Sequence, residues 1–104
     1  MFQEERNMRF HVLSSLAILF ISAFLSLSKD EWLWILLVCF LVLVMEIWNT
    51  AIENTVDMIS PDYNPLAKKI KDMAAAAVLF TSIFSVIIGT VILLPKVLVL
   101  FNLF

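Results

Sequence analysis

A row of polar side chains in the middle of the sequence has the spacing of one helical face. Glu46, Asn49, Thr50, Glu53 and Asp57 stand at offsets of 0, 3, 4, 7 and 11 residues, which forms a single stripe at 3.6 residues per turn. Three carboxylates on one face repel each other. Such a stripe is typical of a site that binds a cation, relays protons or meets a basic partner, so these residues are the first candidates for chemistry.

Glu46 is the member of the stripe that is hardest to explain as an ordinary solvated charge. Fourteen uncharged residues, from Trp32 to Met45, precede it directly. A buried carboxylate in that position suits a general base. The alternative is that the stripe leaves the apolar environment early and lies in water, and that alternative is strongest for Asp57.

A second polar cluster begins 11 residues after Asp57. Lys68, Lys69, Lys71 and Asp72 precede the small-residue run Met-Ala-Ala-Ala-Ala. A lysine beside carboxylates that could hold Mg²⁺ is what a phosphate-handling site requires. Headgroup contact is the favoured alternative for Lys68 and Lys69, whereas Lys71 and Asp72 are expected to be buried against the preceding helix.

The composition indicates where these clusters lie. Of 104 residues, 62% are hydrophobic and only 15% are charged, against roughly half and a quarter in soluble domains. The net charge of −2 gives no basic surface for nucleic acid. A lone cysteine, Cys39, excludes a disulfide framework and a cysteine zinc site. The sequence therefore predicts a small integral membrane protein.

Three uncharged runs supply the predicted elements, and a spanning helix needs about 20 mainly apolar residues. The runs cover residues 12–28, 32–45 and 73–95. We expect an all-α membrane protein with three transmembrane helices. Its predicted parts are a cytoplasmic segment 1–11, a first span 12–28, a second span with a cytoplasmic extension 31–59, a cytoplasmic loop 60–71, a third span 72–95 and a C-terminal tail 96–104.

The basic residues predict the orientation. Five of them fall on one side of the spans, Arg6, Arg9, Lys68, Lys69 and Lys71, and two on the other, Lys29 and Lys96. Because basic residues concentrate on the cytoplasmic side, the N-terminus is expected in the cytoplasm. His11, at the inner end of the first helix, either pairs with a carboxylate or faces headgroups, and headgroup contact is favoured.

At this point the motifs can be compared with a known family. The pattern Glu46-x-x-Asn49-Thr50-Ala51-Ile52-Glu53-x-x-x-Asp57, followed by Pro65-Leu66-Ala67-Lys68-x-x-Lys71-Asp72, resembles the prokaryotic diacylglycerol kinase family. The segment Glu5-Arg6-Asn7-x-Arg9-x-His11 is similar to that family's first motif, and the resemblance covers roughly residues 4 to 80. The Pro-Leu-Ala-Lys form is closer to the branch that phosphorylates undecaprenol.

This resemblance implies a homotrimer with active sites between neighbouring subunits. The implied activity is ATP-dependent phosphorylation of a lipid alcohol, undecaprenol or diacylglycerol, to its monophosphate at the cytoplasmic membrane surface. The resemblance implies that Glu46 is the general base for the lipid hydroxyl. It implies that Glu5 and Glu53 are ligands of Mg²⁺ and hence of the nucleotide. It also implies that Asn49 lies near both substrates and that Asp57, Lys71 and Asp72 are further residues of the nucleotide site.

The sequence departs from the family pattern at its N-terminal end, and two alternatives to a lipid kinase are considered. Family members carry an amphipathic surface helix before the Glu-Arg-Asn motif, whereas four residues precede Glu5 here, so weaker ATP binding is expected. One alternative is a catalytically inactive three-helix protein with a structural or assembly role. The other is a conducting oligomer, which the scarcity of polar residues in the outer half of the spans disfavours.

Overall fold

The protein is built from three α-helices joined by two short connections. A computed structural model describes the backbone of residues 2–102 and the side chains of residues 6–102. The helices are α1, Phe2–Ala23; α2, Lys29–Ile59; and α3, Pro65–Leu100. No strand occurs within the described residues, so the prediction of an all-α protein is confirmed.

Helix α2 begins at a reciprocal cap that its sequence encodes. The Ser28 hydroxyl accepts a hydrogen bond from the backbone N–H of Glu31 at 3.2 Å, and the Glu31 carboxylate accepts one from the Ser28 N–H at 2.9 Å. These two bonds satisfy N–H groups that a helix start leaves without partners. No glycine or proline follows until Pro61, and α2 therefore runs unbroken for 31 residues.

Helix α3 begins earlier than predicted, and this corrects the predicted loop 60–71. The Asn64 side chain accepts hydrogen bonds from the N–H groups of Leu66 at 2.8 Å and Ala67 at 3.3 Å. Pro65 occupies the first helical position, where its missing N–H costs nothing. The connection shrinks to residues 60–64, and the lysine cluster consequently lies on the first turns of a helix.

The far end of α3 also differs from the prediction. Pro95 lies inside the helix, which continues to Leu100 through most of the predicted tail 96–104. Interior proline costs about 3 kcal/mol in a soluble helix, but apolar membrane helices tolerate it. Lys96 holds these last turns in place, since its ammonium group donates to the Ser26 carbonyl at 3.0 Å and lies 3.3 Å from the Glu31 carboxylate.

Helix α1 ends before the predicted boundary at residue 28. Its last turn tightens, because the N–H groups of Phe24 and Leu25 bond to carbonyls three residues back, and the chain then extends to the Ser28 cap. The uncharged helical part, residues 12–23, is about 18 Å long. Helices α2 and α3 are long and apolar enough to span a membrane, and α1 is not among the helices of the described residues that meet this criterion.

Helix α2 is the element against which both other helices pack. Its buried residues Ile35, Val38 and Val42 follow one another at spacings of three and four, and Glu46 continues the same face. Leu25 and Leu93 complete a small apolar cluster around Ile35. The polar stripe is therefore a continuation of the packed face of α2 rather than of its exposed face.

Candidate functional site

Glu46 is buried within a single subunit. Its relative exposure is 4%, and it is one of two buried polar residues among those described. The next charged residue of the stripe, Glu53, is partly exposed, and Asp57 is exposed. The exposure of the side chains thus rises along the stripe toward the connection at residues 60–64. This gradient is expected for a row of polar groups that begins in an apolar interior and ends in water.

The structure gives His11 a partner that was not favoured from the sequence. The Nε2 atom of His11 lies 3.5 Å from Oε2 of Glu46, and both side chains are largely shielded. Headgroup contact was expected because His11 stands at the inner end of α1. The correction has a simple cause: His11, Ser15, Ile18 and Ser22 recur at helical spacing, and this face of α1 packs on α2.

Asn49 and Glu53 form the second contact of the stripe. The amide Nδ2 of Asn49 donates to Oε1 of Glu53 at 3.3 Å. The amide oxygen of Asn49 is buried and has no hydrogen-bond partner among the described residues. A buried oxygen without a donor is uncommon, and this one belongs to the amide whose nitrogen bonds Glu53.

This pair fits a magnesium ion. Mg²⁺ prefers oxygen ligands and is usually held by one or two carboxylates together with water and substrate phosphates. Glu53 and the unpartnered oxygen of Asn49 supply two such ligands. Within residues 6–102 no three His, Cys, Asp or Glu side chains converge as a metal site. The side chain of Glu5, the other predicted ligand, lies outside the described residues.

Asp57 and Lys71 join α2 to α3 at the polar end. The Lys71 ammonium group donates a hydrogen bond to Oδ1 of Asp57. The predicted contact of Lys71 with α2 is thus present, while Asp57 remains exposed. The pair fixes the lysine at the end of the stripe, against its last carboxylate.

Asp72 lies elsewhere, and its predicted burial against α2 is wrong. It is exposed and pairs with Lys68 on its own helix at 2.7 Å. Residues 71 and 72 differ by about 100° around a helix, so only one of them faces α2. Asp72 instead lines an open cavity of about 560 Å³ together with Tyr63, Lys68 and Lys69.

Two interhelical ion pairs mark the ends of the α2–α3 hairpin. Glu31 pairs with Lys96 at one end, and Asp57 pairs with Lys71 at the other. The partners are 26 residues apart on α2 and 25 on α3, about 38 Å at 1.5 Å per residue. Between the two pairs α3 carries one charge, Asp72 near its inner end, and α2 carries Glu46 and Glu53.

The fold and site thus define an all-helical protein with a buried carboxylate, a polar stripe and a lysine at one end of an apolar hairpin. The family model for prokaryotic diacylglycerol kinase matches residues 1–93. The chain belongs to the prokaryotic diacylglycerol kinase family. Together with the two long apolar helices, this membership makes it a helical membrane protein.

Several curated proteins are similar over most of the chain. An undecaprenol kinase of Bacillus subtilis is 45% identical over 88% of this chain and 75% of its own length. A diacylglycerol kinase of Synechocystis is 38% identical over 93% of this chain and 56% of its own length. One from Helicobacter pylori is 41% identical over 78% and 63%. The chain thus spans between about half and three quarters of these relatives.

Proposed function

We propose that this protein is a membrane lipid kinase that transfers the γ-phosphoryl group of ATP to the hydroxyl of a lipid alcohol, with Mg²⁺ as its metal. The observation that carries the proposal is the order of groups along α2. A buried carboxylate, Glu46, is followed by the Asn49–Glu53 pair and then by Asp57 with Lys71. The groups thus run along α2 from Glu46, at a depth that a lipid hydroxyl reaches, to the end of the helix that faces water, where Lys71 of α3 pairs with Asp57.

The depth of Glu46 supports its meeting with a lipid hydroxyl. With the outer boundary at Glu31, Glu46 lies 15 residues further along α2, about 22 Å at 1.5 Å per residue. The hydrocarbon core is about 30 Å thick. Glu46 is therefore about 8 Å inside the inner boundary, whereas Glu53 lies at about 33 Å, on the aqueous side. A lipid alcohol and a water-soluble nucleotide would meet between these two levels.

The proposed chemistry follows from these positions. Phosphoryl transfer depends mainly on positioning and charge stabilisation, and the hydroxyl must lie in line with the γ-phosphate. Glu46 accepts the hydroxyl proton as the new oxygen–phosphorus bond forms and ADP departs. Mg²⁺ held by Glu53, Asn49 and Glu5 would neutralise phosphate oxygens. Lys71 contributes a contact to the nucleotide from the α2 side, and Asp72 contributes one from the open cavity that it lines with Lys68 and Lys69.

Lys71→Gln should raise the KM for Mg-ATP about 10- to 100-fold, because a hydrogen bond to a charged group contributes about 1.5–3 kcal/mol. The measurement is initial rate against ATP concentration in detergent micelles. Lys29→Gln is the matched control, since it removes the same charge from an exposed site at the opposite end. An unchanged KM in Lys71→Gln, beside an unchanged control, would remove Lys71 from the nucleotide site.

We also propose that the active unit is a homotrimer in the bacterial cytoplasmic membrane. The hairpin leaves a groove of about 570 Å³ between α1 and α3, and hydroxyls such as those of Ser14, Ser82 and Ser85 line it. Hydroxyl-bearing residues are common where membrane helices pack together. Each subunit also offers two proposed Mg²⁺ ligands among its described side chains, Asn49 and Glu53. In a trimer, a neighbouring subunit would supply the remaining ligands.

The proposed topology has three spans and a cytoplasmic N-terminus. The five basic residues near the inner end support this orientation. Helix α1 crosses with a helical part of about 18 Å, and residues 24–28 extend the crossing toward the outer surface. The Glu31–Lys96 pair then lies at the outer boundary, and the Asp57–Lys71 pair lies in the cytoplasmic interface, beyond the inner boundary.

We expect undecaprenol to be the better substrate. The Pro65-Leu66-Ala67-Lys68 segment and the 45% identity to an undecaprenol kinase support this choice. Purified protein in mixed micelles should phosphorylate undecaprenol roughly tenfold faster than a diacylglycerol at equal surface concentration, a difference within the range that apolar binding sites achieve. Equal rates would contradict the preference alone, and no phosphorylation of either lipid would contradict the proposed function.

A further inference from the structure

From the contact between α1 and α2 we infer that His11 is a positioning residue, which orients the Glu46 carboxylate toward the lipid hydroxyl. This inference rests on the proposed function and assigns a residue to it. His11 Nε2 lies 3.5 Å from Glu46 Oε2. Among the contacts between basic and acidic side chains of residues 6–102, this is the one that joins α1 to α2.

The burial of Glu46 makes a partner necessary. A carboxylate removed from water loses its solvation, and an ion pair or hydrogen bonds must compensate for that loss. Three of the four lysines of α3 are engaged by other carboxylates, Lys68 by Asp72, Lys71 by Asp57 and Lys96 by Glu31. The fourth, Lys69, is exposed and forms no ion pair with Glu46 in the described residues. Within the described part of the chain, the imidazole is the group placed at ion-pair distance from it.

The position of the ring adds a second observation. His11 lines the groove of about 570 Å³ between α1 and α3, whereas Glu46 is absent from its wall. The imidazole thus lies between the groove and the carboxylate. An imidazole N–H directed at Oε2 fixes the carboxylate plane and leaves Oε1 for the hydroxyl proton.

A separation of 3.5 Å is within ion-pair distance and beyond the usual length of a hydrogen bond. The pairing also explains why a histidine is used at this depth. It provides an N–H donor on a short, stiff side chain, whereas lysine would bring a mobile charge.

The kinetic test compares two replacements of His11. His11→Leu keeps similar bulk without a donor and should lower kcat about 10- to 100-fold, because a displaced catalytic group costs factors of this size. His11→Gln restores an N–H near the Nε2 position and should recover most of this loss. The KM for Mg-ATP should stay at the parent value in both, since the nucleotide contacts lie elsewhere.

Controls separate this effect from a general loss of structure. Leu16→Ala, at an exposed position on the same helix, should keep the parent kcat. In Glu46→Gln, adding His11→Leu should cause no further loss, because residues acting through one another are not additive. Full kcat in His11→Leu with an active parent would overturn the inference alone, whereas a parent inactive on both lipids would overturn the proposed function.

A second measurement needs no activity. The chain has one histidine, so the imidazole ¹⁵N signals of labelled protein require no assignment. Glu46→Gln should shift these signals, and Glu31→Gln, at the opposite end of the same helix, should leave them unchanged. Imidazole signals that are identical in the parent and in Glu46→Gln would show that the pair is absent and would overturn the inference.

Discussion

Glu46→Gln is expected to lower kcat for lipid phosphorylation by about 10²- to 10⁴-fold, the usual contribution of a positioned base. The amide has the shape of the carboxylate and can still accept a hydrogen bond from His11, but it cannot take the hydroxyl proton. Binding of Mg-ATP should be nearly unchanged, because Glu46 is not a proposed metal ligand. Turnover and nucleotide binding are measured on the same folded preparation.

Glu31→Gln is the matched control for this experiment. It makes the same substitution on the same helix, at the end where Glu31 pairs with Lys96, and it should keep the parent turnover. A Glu46→Gln protein that retains most of its turnover would remove the general-base assignment. Loss of Mg-ATP binding in that variant would instead assign Glu46 to the metal site.

Glu53→Gln is expected to weaken Mg-ATP binding at least about tenfold, since even indirect partners of metal ligands contribute 10- to 100-fold to affinity. The substitution removes the charge that Mg²⁺ requires. It preserves an oxygen that can accept the Asn49 hydrogen bond, so the local packing should persist. Isothermal titration with a non-hydrolysable ATP analogue, at several Mg²⁺ concentrations, measures the change.

The Mg²⁺ dependence distinguishes a metal ligand from a general electrostatic effect. Raising Mg²⁺ should partly restore binding to Glu53→Gln and should have no such effect on Lys71→Gln, which loses a phosphate contact. Binding of Mg-ATP to Glu53→Gln with the parent affinity would show that Glu53 is not a metal ligand.

The sequence predicted the helices because their signal is repeated over many residues. The uncharged runs 32–45 and 73–95 lie inside α2 and α3. The helix ends were predicted less well, since each depends on one or two local contacts. The Asn64 cap added helical turns where a loop was expected, and the Lys96 contacts support α3 beyond Pro95.

The site could be predicted in part, for a similar reason. Spacing along one helix placed Glu46, Asn49, Glu53 and Asp57 on one face, and the structure agrees for this geometry. Contacts between helices were harder to predict, because a histidine at a helix end fits a headgroup as well as a carboxylate. The available signal for the pairing of His11 with Glu46 was the series Ser15, Ile18 and Ser22, which follows His11 at helical spacing and marks the face of α1 that packs on α2.

The most direct test of the account is the transfer of labelled phosphate from [γ-³²P]ATP to undecaprenol in detergent micelles containing the purified parent protein. The account predicts a labelled lipid monophosphate that forms with Mg²⁺, is lost when EDTA removes the metal, and is nearly absent with Glu46→Gln. An unlabelled lipid fraction from folded parent protein would contradict the account, as would equal labelling by the parent and Glu46→Gln.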